Sequence, residues 1–238
     1  MSTNVGAKAS KNSRTIVVPA FRLYWPRLIE AEAYKGGTGA KKFSMGMIFE
    51  PDALKKVFVL DDSKDGMSQT DLNQLLAQIA KAEWPGIDLK ADLGRNWPVI
   101  PGETEAAKLE AKKKNGEYLK GKKLVRASGS EKFPPDLCIY NGEGKNRVKV
   151  KLSRKIEDER DQAEALFVGG NYARAALKIV PQEVNGNKFL SIYINEVIFS
   201  KVGERIGGMS AIDKFDGIHG GQSDYDPTAG MDDGEIPF

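Results

Sequence analysis

The chain has one cysteine, Cys138, and one histidine, His219, in 238 residues. A single cysteine excludes an internal disulfide, and with a single histidine it also excludes a zinc site built from Cys and His, because structural zinc takes four such ligands. Cys138 sits in the apolar run Leu137-Cys138-Ile139-Tyr140 and is expected to be a buried small hydrophobe. His219 lies among Gly217, Gly220 and Gly221, where no neighbour in sequence can orient an imidazole. Ser-His-Asp or Cys-His catalysis is therefore not expected. No apolar run approaches the roughly 18 residues needed to cross a membrane. Residues 1–14 lack the apolar segment of a secretory signal, so the expected location is the cytoplasm. Basic residues are missing from the end of the chain. Beyond Lys214 come Asp216, Asp224, Asp226, Asp232, Asp233 and Glu235 with no Lys or Arg, a charge of −6.

What remains is basic. Residues 1–214 hold 36 Lys and Arg against 27 Asp and Glu, a net +9 hidden inside the overall +3. A basic body joined to an acidic tail points to a polyanion-binding domain with a tail that acts separately. Three regions are expected: a flexible basic arm over 1–14, one folded domain over 15–206, and a disordered tail over 207–238, where Gly, Asp and Ser leave little to offset the entropy of ordering.

The folded region reads as mainly β. Thr15-Ile16-Val17-Val18, then Phe21, Leu23 and Trp25, predict a first strand with Pro19 at an edge or bulge and an end at Trp25-Pro26. Phe43, Met45, Met47 and Phe49 recur at period two and predict a second strand. Leu72, Leu75, Leu76 and Ile79 predict a helix between Ser68 and Trp84, with Ser68-x-x-Asp71 resembling a capping box. Residues 87–115 read as an irregular surface excursion. Strand patterns return at 122–127, 137–140, 147–152, 172–180 and 189–199, with a hairpin turn at Asn185-Gly186. The charged stretch 153–165 suits either a short helix or a solvated loop. The expected fold is an OB-fold-like barrel with at least one helix and long loop insertions.

Strict alternation at Arg147-Val148-Lys149-Val150-Lys151-Leu152 puts three cations on one face of a strand, which suits an anion or a solvated outer face. Lys112-Lys113-Lys114, Lys120, Lys122, Lys123 and Arg126 surround Tyr118, and Tyr172 shares a strand face with Arg174. Basic residues interleaved with aromatics are the pattern of single-strand binding, where stacking contributes about 1 to 3 kcal/mol per base. Candidate DNA contacts are thus Lys41, Lys42, Trp97, Tyr118, Lys120, Lys122, Lys123, Arg126, Arg147, Lys149, Lys151, Tyr172 and Arg174. Phe21, Phe43, Phe49, Phe189 and Phe199 are expected in the core.

The chain ends in Asp232-Asp233-Gly234-Glu235-Ile236-Pro237-Phe238. As a peptide ligand, Phe238 can fill an apolar pocket, Pro237 restricts the free conformations of the end, and the acids steer toward a basic partner. This tip resembles the terminal peptide of bacterial single-stranded DNA-binding proteins, with Gly234 interrupting the acidic run. The resemblance implies docking of replication, recombination and repair proteins through Asp232, Asp233, Glu235, Ile236, Pro237 and Phe238. The body is similar to phage-type single-stranded DNA-binding proteins of the DUF2815 group, on Phe21-Arg22-Leu23-Tyr24 to Phe49-Glu50-Pro51 and on Leu166-Phe167-Val168-Gly169-Gly170-Asn171-Tyr172-Ala173-Arg174 through Gly207-Gly208. That resemblance implies an oligonucleotide-binding barrel that coats single strands in phage DNA replication and recombination, with no catalysis and no cofactor.

Two other readings compete. A carboxylate-metal nuclease would use Asp61, Asp62 and Asp65, although Asp61-Asp62-Ser63-Lys64-Asp65-Gly66 reads more simply as a turn. The other is an RNA-binding or partner-recruiting module. The −6 tail, tethered to a +9 body, is also expected to compete with DNA for the basic surface.

Overall fold

The alternation of Phe43, Met45, Met47 and Phe49 turns one face of β2 (Lys42–Phe49) into the barrel, where all four are at most 5% exposed. The structure is a computed structural model that describes residues 10–33, 39–60, 66–142 and 146–206. The chain separates into units 1–206 and 207–238, and the second, with the tail and its tip, lies outside the described residues.

β1 (Arg14–Glu32) carries Ile16, Val18, Phe21 and Leu23 inward. Its register shifts between Val18 and Phe21, so Pro19 does sit at a bulge. A second shift falls between Tyr24 and Arg27, and the strand then runs on to Glu32 instead of ending at Trp25-Pro26. A bulge removes its extra residue from the ladder, so a proline without an N–H can be accommodated inside a strand.

Further along are β3 (Val57–Leu60), β4 (Met67–Thr70), α1 (Leu72–Glu83), α2 (Leu89–Leu93), β5 (Val99–Pro101) and α3 (Gly102–Glu110). They are followed by β6 (Lys123–Ser130), β7 (Asp136–Asn141), β8 (Val148–Leu152), α4 (Glu157–Leu166), β9 (Tyr172–Val184) and β10 (Asn187–Lys201). Five strands close a ring: β1 pairs β2, β2 pairs β6, β6 meets β10, β10 pairs β9, and β9 returns to β1. All these pairings are antiparallel except β6–β10, which is parallel and formed by the single pair Tyr193–Ser128. This is the topology of an oligonucleotide/oligosaccharide-binding barrel. The β3–β4 hairpin extends the sheet beside the first half of β1, and the β7–β8 hairpin extends it beside β10. The β9–β10 turn has φ of 50° at Asn185 and 75° at Gly186, the two positive values that a type I′ hairpin requires.

The helix expected behind Ser68 starts later. Ser68 belongs to β4, and Asp71 is the cap, its carboxylate accepting from the amides of Asn73 at 2.8 Å and Gln74 at 3.1 Å. The charged stretch after Ser153 contains helix α4. Cys138 is buried as expected, and burial raises its thiol pKa. Phe21, Phe43 and Phe49 are core, whereas Phe189 and Phe199 are only half-buried.

Residues 87–115 are not an irregular excursion. Asp88 caps α2, β5 pairs with β6, and α3 and the turn at Glu117–Leu119 lie over the barrel's outer face. There Ala106 and Leu119 pack with Tyr24, Ile48, Leu124 and Ile206 in a second apolar layer. Gly169-Gly170-Asn171 ties this region to β1 through Gly170 N–H to Leu23 C=O at 2.9 Å and Leu23 N–H to Asn171 C=O at 2.8 Å. Gly170, at φ 106°, leaves no room for a side chain, since a Cβ would fall 2.0 Å from the Glu204 carbonyl oxygen. Among the described residues no helix is long and apolar enough to cross a membrane.

Candidate nucleic-acid interface

The outer face of β2 and β6 is lined by small residues. Ser44 opposes Ser128 and Gly46 opposes Arg126, while Tyr24 of β1 pairs with Gly46 from the other side. Gly46 is required because a Cβ there would meet Tyr24 Cδ1 at 2.7 Å, so its absence lets the Tyr24 ring lie across the sheet. One row along, Ile48 and Leu124 are covered by α3 and the turn at Glu117–Leu119. Where that cover stops, a groove of about 740 Å³ opens.

Among the described residues five cations line it, Arg27, Arg95, Lys112, Lys114 and Arg126, against one acid, Glu105. Its aromatics are Tyr24, Trp25 and Trp97. Trp25 occupies the second bulge of β1 with φ of 45°, a left-handed conformation that costs a non-glycine residue about 1 to 3 kcal/mol. The bulge aims the indole outward, 49% exposed, with Lys114 Nζ 5.7 Å from its ring centroid. Tyr24 packs behind it, edge-on at 6.2 Å, and 6.3 Å from Tyr118. Burial raises the pKa values of both tyrosines, so their hydroxyls stay protonated. Trp97 forms the opposite side and donates its Nε1–H to Asn73 Oδ1 at 3.0 Å.

Glu105 is 8% exposed, and its Oε1 accepts from Arg126 Nη2 at 2.7 Å and, at a long 3.4 Å, from the Tyr24 hydroxyl. Its Oε2 makes no hydrogen bond, although Lys108 Nζ stands 3.5 Å away. The carboxylate therefore occupies one of the groove's cations. Glu105→Gln should tighten binding of an oligo-dT strand about three- to tenfold at low salt, with the gain shrinking as salt shortens the Debye length below about 10 Å. Anisotropy titrations at two salt concentrations would check this, and weaker binding would mean that Glu105 acts by positioning Arg126.

Of the residues singled out from the sequence, the groove brings together Trp97, Lys112, Lys114 and Arg126, and by alternation Lys42 shares the outer face with Ser44 and Gly46. Lys41 lies just before that strand. Tyr118 is half-buried behind Tyr24. Lys120 is paired with Glu110 and Glu117, Lys122 with Glu50, and Lys123 begins β6. Lys149 and Lys151 face Glu196 at 2.8 Å and Asp136 at 2.6 Å, so both cations on β8 are already matched. Tyr172 lies at the start of β9 under Lys201, whose Nζ is 4.7 Å from its ring. Arg147 and Arg174 border a separate cleft. Tyr24, Trp25, Arg27 and Arg95 were not singled out. The available signal was a Tyr-Trp-Pro bulge opposite the small outward residues Ser44 and Gly46. Among the described residues no cluster of His, Cys, Asp and Glu is placed to hold a metal, and Asp61, Asp62 and Asp65 lie outside them.

Residues 14–226 match the family described as Enterobacter phage Enc34, ssDNA-binding protein. Among solved structures, the single-stranded DNA-binding protein from bacteriophage Enc34 in complex with ssDNA is 15% identical with a TM-score of 0.52, covering 84% of this chain and 97% of that one. A C-terminal truncation of the same phage protein is 13% identical with a TM-score of 0.55, over 84% of this chain and 96% of its own. At these identities the likeness is one of fold. No curated protein matches the sequence.

Proposed function

Because the chain belongs to the family of the Enterobacter phage Enc34 ssDNA-binding protein, we propose that it coats single-stranded DNA during phage DNA replication, recombination and repair. The family is one of DNA-binding proteins, not of enzymes. The observation that carries this reading is the groove on the β2–β6 face, with five cations to one acid and three aromatic rings beside small, open strand positions. A strand laid there would stack bases on Trp25 and Trp97 and set phosphates against Arg95, Lys112, Lys114 and Arg126. Such contacts use the π-faces that every base has and the charge that every nucleotide carries, so little sequence preference and strong salt dependence follow.

The acidic tail serves two ends in this proposal. Ile236-Pro237-Phe238 recruits replication and repair proteins, and the −6 charge of residues 216–235 competes with DNA for the groove. Anisotropy of labelled oligo-dT with the full chain beside a version ending at Gly208 tests both the binding and the competition. Binding should weaken steeply with salt in both proteins, and the shortened one should bind several-fold more tightly, most of all at low salt. No binding by either protein would overturn the coating function. Equal affinity of the two would remove the competition alone.

A further inference from the structure

Away from the groove, β7 and β10 run parallel only at Asp136–Cys138 and Glu196–Ile198. Beyond these pairs Tyr140 and Asn141 on one side and Ser200 on the other border a cleft of about 380 Å³, with Gln162 of α4 also lining it. Arg147, just before β8, and Arg174, on β9, converge on this cleft from separate elements. Among the described residues no carboxylate lines it, and neither arginine has an acid within 4 Å. The nearby lysines differ, since Lys149 and Lys151 are taken up by Glu196 and Asp136.

We propose that this cleft is a second station for the phosphate backbone of single-stranded DNA, reached by a strand long enough to run past the barrel groove. The inference rests on the DNA-binding reading above. Arginine keeps its charge at any physiological pH, so two guanidinium groups facing one space repel each other until an anion lies between them, and their planar donor sets fit a phosphate's oxygens. Tyr140, 47% exposed at the rim, offers a ring on which a neighbouring base can stack. From Ser191 in the groove to Ser200 in the cleft, β10 runs about 30 Å at roughly 3.3 Å per residue, so one short oligonucleotide cannot fill both sites.

Length separates the two stations. Binding of dT oligonucleotides of about 4 and about 20 nucleotides, spanning the usual site size of a barrel of this kind, should be measured for the full chain and for R147A/R174A. The double variant should lose about tenfold or more on the long strand and stay within twofold on the short one. Its salt slope on the long strand should flatten by about 1.4, for two phosphate contacts at about 0.7 each. Equal loss at both lengths, or loss at neither, would overturn the second station. Trp25→Ala serves as the groove control and should weaken both lengths. Wild-type protein that binds neither length would overturn the coating function itself. Both arginines border open solvent, so an unchanged unfolding midpoint will confirm that the variant is folded.

Discussion

Trp25→Ala should weaken single-stranded DNA binding by about 5- to 150-fold, the equivalent of one lost stacking platform at about 1 to 3 kcal/mol. It should leave the unfolding midpoint nearly unchanged. The two expectations come from one geometric fact. Trp25 holds φ at 45°, in the bulge between Tyr24 and Arg27, and half of its surface is exposed. Packing alone would not select an indole at a left-handed position when glycine or asparagine fits it without strain. Trp25→Gly sharpens the test, because relief of backbone strain roughly offsets the greater freedom of glycine in the unfolded chain. Its stability should stay within about 1 kcal/mol of wild type while binding falls as far as in Trp25→Ala. Anisotropy with oligo-dT, paired with thermal unfolding, reads both quantities. DNA affinity within twofold of wild type in both variants would move the binding surface off this groove.

The same bulge shows what the sequence could and could not reveal. Period-two patterns disclosed which side of β2 is inside, because Phe43, Met45, Met47 and Phe49 have only one way to be buried together. Asn185-Gly186 disclosed its hairpin, because few residue pairs accept two positive φ values. Neither kind of signal says which part of an outer face a third element will cover. Ile48 and Leu124 lie beneath α3 while Ser44 and Ser128 stay open, and residues 87–122 decide this through contacts distant in sequence. Charge was misleading for a related reason. The alternating cations of β8 stood out, yet Lys149 and Lys151 meet Glu196 and Asp136, acids that lie on other strands. The groove's cations, Arg27, Arg95, Lys112, Lys114 and Arg126, come from separate stretches of the chain and become a patch only when the barrel closes.

Phe21→Ala should have the opposite signature to Trp25→Ala. Phe21 is 1% exposed, follows the first bulge of β1, and its ring centroid is 5.4 Å from that of Phe49 inside the barrel. Truncating a buried phenylalanine costs about 3 to 5 kcal/mol, from lost transfer energy and the cavity left behind. In a domain of this size each kcal/mol lowers the midpoint by about 2 to 4 °C, so a fall of about 6 to 20 °C is expected. The barrel is open to such damage, because its β6–β10 seam is a single pair, Tyr193–Ser128, and inward packing does most of the closing. The groove's own side chains stay in place, so saturating oligo-dT should still raise the midpoint of Phe21→Ala by nearly the wild-type free energy, RT ln(1 + [L]/Kd). For Trp25→Ala the midpoint without DNA should match wild type and the rise with DNA should be small. Melting curves of both variants with and without oligo-dT thus separate the interior that closes the barrel from the surface that binds. A Phe21→Ala protein with a normal midpoint and no rise on adding DNA would reverse the two roles assigned here.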